Sequence, residues 1–92
     1  MGNKPAVGML VTSFMTCPMK YRVYARKGWD DAKINVVLEG LDEGLDRFGY
    51  LAMVAGFEID LRGNRFSDGA IRQVRNTLFD HGFSAEKFTI LV

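Results

Sequence analysis

Residues 30–55 read DDAKINVVLEGLDEGLDRFGYLAMVA, and the division of this stretch decides the fold. In its first part Ile34, Val36 and Leu38 alternate with Asn35, Val37 and Glu39, the period-two pattern of a half-buried strand. Further on, Leu41, Leu45, Phe48, Ala52 and Ala55 recur at helical spacing. Asp42 and Glu43 then stand in a first turn, where the helix dipole favours acids. A second division is open. Ile34, Leu38, Leu41, Leu45, Phe48, Ala52 and Ala55 also make one stripe spaced four and three, which is a single helix over 30–55. Gly40 and Gly44 would each cost that helix about 1 kcal/mol, and Ile34–Val37 leans to strand. The expectation is therefore a strand over 34–39, Gly40 as a cap, and a helix from Leu41 that Gly56 ends.

Outward from this centre the pattern continues. Upstream, residues 20–27 (KYRVYARK) place Tyr21, Val23 and Ala25 on one face and Arg22, Tyr24 and Arg26 on the other, a strand with a basic outer face. With KGWDDAK (27–33) as the turn, this strand and the next form a hairpin, Lys20–Glu39. Before it, residues 6–16 (AVGMLVTSFMT) are an apolar, β-leaning run that Cys17-Pro18 closes. Downstream, Phe57, Ile59 and Leu61 alternate up to Gly63-Asn64. Ser67 caps a second helix with Ile71, Val74 and Leu78 inward, and Gly82 stops it. Phe88–Val92 is a last apolar strand. The order β-β-β-α-β-α-β implies an α+β fold over residues 1–92, a single mixed or antiparallel sheet with two helices on one face. The expected core is Leu38, Leu45, Phe48, Phe57, Ile59, Ile71, Val74, Leu78 and Ile90.

With 92 residues and 48% apolar content the chain is sized for one domain with a real core. Its 12 basic and 11 acidic residues exclude a globally basic nucleic-acid coat. The charge is nonetheless polarised. Residues 1–29 carry Lys4, Lys20, Arg22, Arg26 and Lys27 and no acid, whereas residues 30–50 carry six acids against Lys33 and Arg47. Such a gradient steers a charged partner to one side. Cys17 is the only cysteine, so a disulfide-stapled secreted fold is not indicated. Phe14, Met15 and Thr16 lack the small-residue pattern of a processed leader, and no run reaches the ~18 apolar residues of a membrane span. These features point to a cytoplasmic protein without a membrane partner.

Groups that carry chemistry are scarce. His81 is the sole histidine and stands at a helix end, where a cation and exposed carbonyls suit it structurally. Phosphate-loop, dinucleotide and nucleophile-elbow motifs are absent from the sequence. Asp42, Glu43 and Asp46 cluster within about a turn but lack the further oxygen ligands of a cation loop. The expectation is no enzyme, no catalytic or metal-ligating residue and no cofactor. The residues that suit binding are Trp29, flanked by Lys27 and Asp30, with Arg22 and Arg26 beside it. Arg62, Arg65, Arg72 and Arg75 form a second group, suited to phosphate or carboxylate.

Two resemblances bear on these residues. Glu58–Gly63 followed by a helix resembles the opening of Smr-type nuclease domains. The glycine-rich HGKG-like loop of that family has no counterpart here, so no nuclease activity is implied. From Lys20 to Arg62, the layout with Leu41, Asp42, Glu43 and Leu45 at a helix start and Ala55, Gly56, Phe57 and Glu58 at the next strand resembles small proteins with which some short-tailed phages inhibit host RNA polymerase. That resemblance implies a compact, non-enzymatic phage or mobile-element regulator. Arg26 stands where that family carries an acid, and Arg62 and Arg65 fall out of its register, so no polymerase-binding residue carries over. The function expected is docking on a larger host protein or nucleoprotein complex. Direct DNA or RNA binding through Arg22, Arg26, Lys27 and the second arginine group is the alternative. The hairpin is the expected docking surface, by strand addition or as a homodimer across the sheet edge.

Overall fold

The computed structural model describes residues 18–92. The strand expected over 6–16 and the cysteine at 17 lie outside the described residues. From Met19 onward the order is β1 (Met19–Tyr21), α1 (Ile34–Ala55), β2 (Phe57–Asp60), α2 (Asp68–Asp80) and β3 (Phe88–Leu91). Short 3-10 turns at Asp31–Lys33 and Ala85–Lys87 lead into α1 and β3. The three strands lie in the order β1-β2-β3, both pairs parallel. Met19 stands beside Phe57, and Phe57 beside Phe88.

The described part is thus α+β with two helices, but the hairpin is not formed. Residues 34–39 belong to α1, so the single-helix division of 30–55 is the correct one. The phase of burial explains why. A strand would have buried Val36 with Ile34 and Leu38; instead Val37 is fully buried and Val36 is 44% exposed. Helical spacing places Ile34, Val37, Leu41, Leu45, Ala52 and Ala55 on one face, and that face closes the core. The start is secured upstream, where the Asp30 carboxylate accepts from Ala32 N at 3.0 Å. Once 34–39 is helical, Lys20–Tyr21 has no adjacent strand to fold back on. Strands joined through helices pair parallel, so the expected mixed or antiparallel sheet gives way to a parallel one.

Gly40 and Gly44, which argued against a continuous helix, are sites of close approach. A Cβ at Gly40 would overlap the Tyr24 hydroxyl, and one at Gly44 would lie 2.8 Å from Phe48 Cε1. Both aromatic rings rest on bare helix backbone. Their packing offsets the ~1 kcal/mol that each glycine withholds from the helix.

The second helix follows its reading closely. Ser67 Oγ accepts from Ala70 N at 3.2 Å, and Ala70, Val74 and Leu78 are buried. At the far end His81 N donates to the Thr77 and Leu78 carbonyls, Gly82 takes φ +91°, and Phe83 N donates to Leu78 O at 3.1 Å. Right-handed crossovers, the near-universal hand of such units, put both helices on one face of a sheet ordered this way. Their buried side chains meet Phe57, Ile59, Leu61 and Phe83 in one cluster. Of the expected core, Leu45, Phe57, Ile59, Val74 and Leu78 are buried, while Leu38, Phe48, Ile71 and Ile90 pack half-buried against it. Among the described residues no helix is long and apolar enough to cross a membrane.

Candidate functional site

The strands of a parallel sheet point their carboxyl ends one way, and the loops leaving those ends are where α/β proteins place binding groups. Here two loops leave that edge, 22–33 after β1 and 61–67 after β2, and they are joined along their length. Arg26 N donates to Arg62 O at 2.7 Å, Gly28 N to Gly63 O at 2.9 Å, and Arg65 N to Trp29 O at 2.6 Å. Asp30 and Arg65 form a parallel bridge. The β1–β2 pairing therefore resumes beyond the strands, loop against loop.

Asn64 holds the centre of the joint. Its Oδ1 accepts from Trp29 N at 2.9 Å, and its Nδ2 donates to the carbonyls of Tyr24 at 2.7 Å and Leu61 at 2.9 Å. One amide satisfies three main-chain groups from two loops. The approach is close enough to dictate backbone shape. Gly63 has φ +81°, and a Cβ there would lie 2.6 Å from Arg26 Cα. Arg26 itself takes φ +56°, the left-handed region that side chains other than Gly, Asn and Asp seldom occupy.

This joint presents cations. Arg22, Arg26, Lys27, Arg62 and Arg65 are all exposed around it. Arg62 is fixed in place: Nε and Nη2 donate to Asp60 Oδ1 and Oδ2 at 3.0 and 2.9 Å, and its main-chain N–H donates to Oδ1 as well. Those hydrogen bonds from Arg62 hold the Asp60 carboxyl down at about 2 and raise the guanidinium. Among the described residues Arg22, Arg26, Lys27 and Arg65 take part in no salt bridge, and two acids of the same loop are engaged within the chain. Asp31 accepts from Ser67 N at 2.8 Å and from its hydroxyl, which lowers the Asp31 carboxyl; Asp30 caps the turn before α1. Helix N-termini at this edge would otherwise hold a phosphate. Here Asp30 occupies the turn before α1, and the Ser67 hydroxyl caps α2 with Asp31 bound to Ser67 in turn, so the surface suits an extended acidic face better than a single enclosed anion.

The chain matches no protein-family model, no curated protein and no solved structure.

Of the residues singled out in the sequence, Arg26, Lys27, Trp29, Arg62 and Arg65 come together at the joint, with Arg22 at its start just beyond β1. Arg72 and Arg75 do not join them. Both are exposed on the outer side of α2, with Gln73 and Asn76. Trp29 is half-buried rather than presented at a turn tip. Its ring lies 5.9 Å from that of Tyr24, and Lys33 Nζ stands 5.9 Å from its centroid. Asn64 and Asp31 carry the joint and were not foreseen. The signal at Asn64 was its place after a strand and a glycine, but its main partner loop lies 35 to 40 residues upstream.

Two further features complete the surface. His81 Nε2 lies 2.8 Å from Asp42 Oδ1, so the ring ties α2 to α1 rather than meeting carbonyls. A pocket of about 360 Å³ opens between α1 (Gly40, Glu43, Gly44, Arg47, Phe48) and the rings of Tyr21 and Tyr24. Burial and a side-chain hydrogen bond with Tyr24 push the Tyr21 hydroxyl up to about 12. Among the described residues no group of His, Cys, Asp or Glu could hold a metal ion.

Proposed function

We propose that this chain is a small non-enzymatic binding protein, a regulator or inhibitor of phage or mobile-element type. It docks on a larger protein or nucleoprotein complex through the cationic joint at the carboxyl edge of its sheet. The observation that carries this reading is the locking of the two loops. Long basic side chains usually lose much of a contact's gain in becoming ordered. Here the backbone beneath Arg26, Lys27 and Arg65 is fixed in advance by main-chain hydrogen bonds and by Asn64. The capped helix termini favour an acidic protein face over an isolated phosphate.

Direct binding of DNA or RNA would use the same cations, and salt dependence separates the two. The full chain with Arg26→Glu and Lys27→Glu is compared with the natural sequence in capture from host lysate, with and without nuclease. Capture that survives nuclease and is lost in the variant, with circular dichroism unchanged, supports protein docking. Loss on nuclease treatment, with affinity falling steeply as salt rises, moves the function to nucleic acid. Capture unaffected by the double substitution removes the joint as the docking face.

A further inference from the structure

The core stripe of α1 has a counterpart on the opposite side of the same helix. Val36, Gly40, Glu43, Arg47, Tyr50 and Val54 are spaced four, three, four, three and four. This is the two-per-heptad spacing of a helix that packs along a second helix. The stripe is displaced two residues, about 200°, from Ile34, Leu41 and Leu45, and so faces away from the core. Val36 is 44% exposed and Tyr50 is 80% exposed, the most exposed large apolar residue among those described; Glu43 and Arg47 are exposed too. Among the described residues neither Glu43 nor Arg47 takes part in a salt bridge, although the spacing would let them pair along the helix.

The order of residues in this stripe is its second property. Counted outward from the midpoint between Glu43 and Arg47, acid stands opposite base, Gly40 opposite Tyr50, and Val36 opposite Val54. A two-fold axis at that midpoint lays α1 antiparallel against a copy of itself and brings these pairs into shared layers. Each copy then offers Glu43 to Arg47 of the other, twice. Each Tyr50 meets the other copy's Tyr24, the ring that covers Gly40 at the mouth of the 360 Å³ pocket. The valines close both ends of a seam about 27 Å long. Parallel packing would set Glu43 against Glu43 and Tyr50 against Tyr50, so the charges choose the antiparallel arrangement.

We infer that the outer face of α1 is a self-association surface whose partner is a second antiparallel copy of this chain, joined by reciprocal Glu43–Arg47 pairs and by Tyr50 packed on the other copy's Tyr24 where that ring covers Gly40. This differs from a dimer across the sheet edge: it runs along α1 and reaches the carboxyl-edge loops only at Tyr24. It is independent of the docking reading. A single-helix seam lies at the small end of specific interfaces, so association belongs in the ~10 μM to ~1 mM range.

Sedimentation velocity of the full chain over that range provides the test, with circular dichroism as a check of folding. The natural sequence should pass from monomer to dimer. Glu43→Arg alone and Arg47→Glu alone each place like charges in both central layers, so each variant should remain monomeric. Mixed one to one, they regain both opposite-charge pairs and should form a heterodimer; the doubly exchanged chain should dimerise again. Tyr50→Ala should weaken association about 30-fold, as loss of a central aromatic anchor does. A natural sequence that stays monomeric throughout overturns the inference. So do single-exchange variants that dimerise normally, or a mixture of folded variants that does not associate.

Discussion

The inner face of α1 and the carboxyl-edge joint are held together by different physics. The helix is secured by many apolar side chains, Ile34, Val37, Leu41, Leu45 and Ala52 among them, each buried against several neighbours. The joint is secured by a few directed bonds, and three of them pass through one amide, Asn64. Distributed burial loses stability in proportion to the area removed. A polar joint built on a single side chain comes apart at that side chain, while the rest of the fold stands. A small domain can thus present a rigid surface without spending apolar residues on it.

The contrast is tested most severely in the core. Leu45→Ala opens a cavity beneath α1 and should cost about 2 to 5 kcal/mol, read as a lowered midpoint in a denaturant melt. Total stabilities of such domains are often only about 5 kcal/mol, so the variant should be marginal at ~37 °C. A loss below about 1 kcal/mol would contradict the helix phase. Asn64→Ala should cost less, roughly 1 to 3 kcal/mol, because the freed groups lie near water and recover part of their bonding. Its signature is local. Hydrogen exchange at Trp29, Gly28 and Arg65 should accelerate while the amides of α1 stay protected. Uniform acceleration across α1 would mean that the joint and the core are one cooperative unit.

Smaller effects separate the glycines of α1. At Gly49 an added Cβ meets only Leu45 Cβ, at 3.9 Å, so Gly49→Ala should raise stability by about 0.5 to 1 kcal/mol through helix propensity. At Gly40 the same change must displace Tyr24, and it should lower the thermal midpoint instead. Equal gains at both positions would mean that Tyr24 does not rest on α1. The gentlest probe is acid. The Asp60 carboxyl is depressed to about 2 by Arg62, so its contribution is fully present above the ordinary carboxylate value of 3.8 and lost as pH falls through about 2. Asp60→Asn should flatten the stability profile over that window, while the profile above about pH 5 keeps its shape.

Legibility followed the range of the interactions. The second helix could be read to its ends because Ser67 and Gly82 act within a few residues of themselves. Strand β2 was plain because Phe57 and Ile59 alternate with polar neighbours over a span that pairs on both sides. The error at 34–39 arose where β-branched propensity and two helix glycines both argued for a break. What overruled them was tertiary: Val37 entering the core, and Tyr24 and Phe48 claiming the space above Gly40 and Gly44. That single division also turned a hairpin into a loop and an antiparallel expectation into a parallel sheet. The candidate site shows the same split. Its cations were evident from charge, but their convergence depended on Asn64 and Asp31 reaching across more than thirty residues.

The crossing of Arg26 and Gly63 has a consequence for when the docking face exists. The two loops are contributed by segments on either side of α1, so a chain synthesised only through that helix holds Arg26, Lys27 and Trp29 but nothing that orders them. The face matures after β2 and its following turn have joined β1, and it is then read as a property of the finished fold. A synthetic peptide spanning residues 22–33 would carry the same charges and lack Gly63, against whose bare backbone the left-handed Arg26 is packed. A partner that recognises the folded protein should distinguish it from its own nascent chain, and this timing is written into one residue without a side chain.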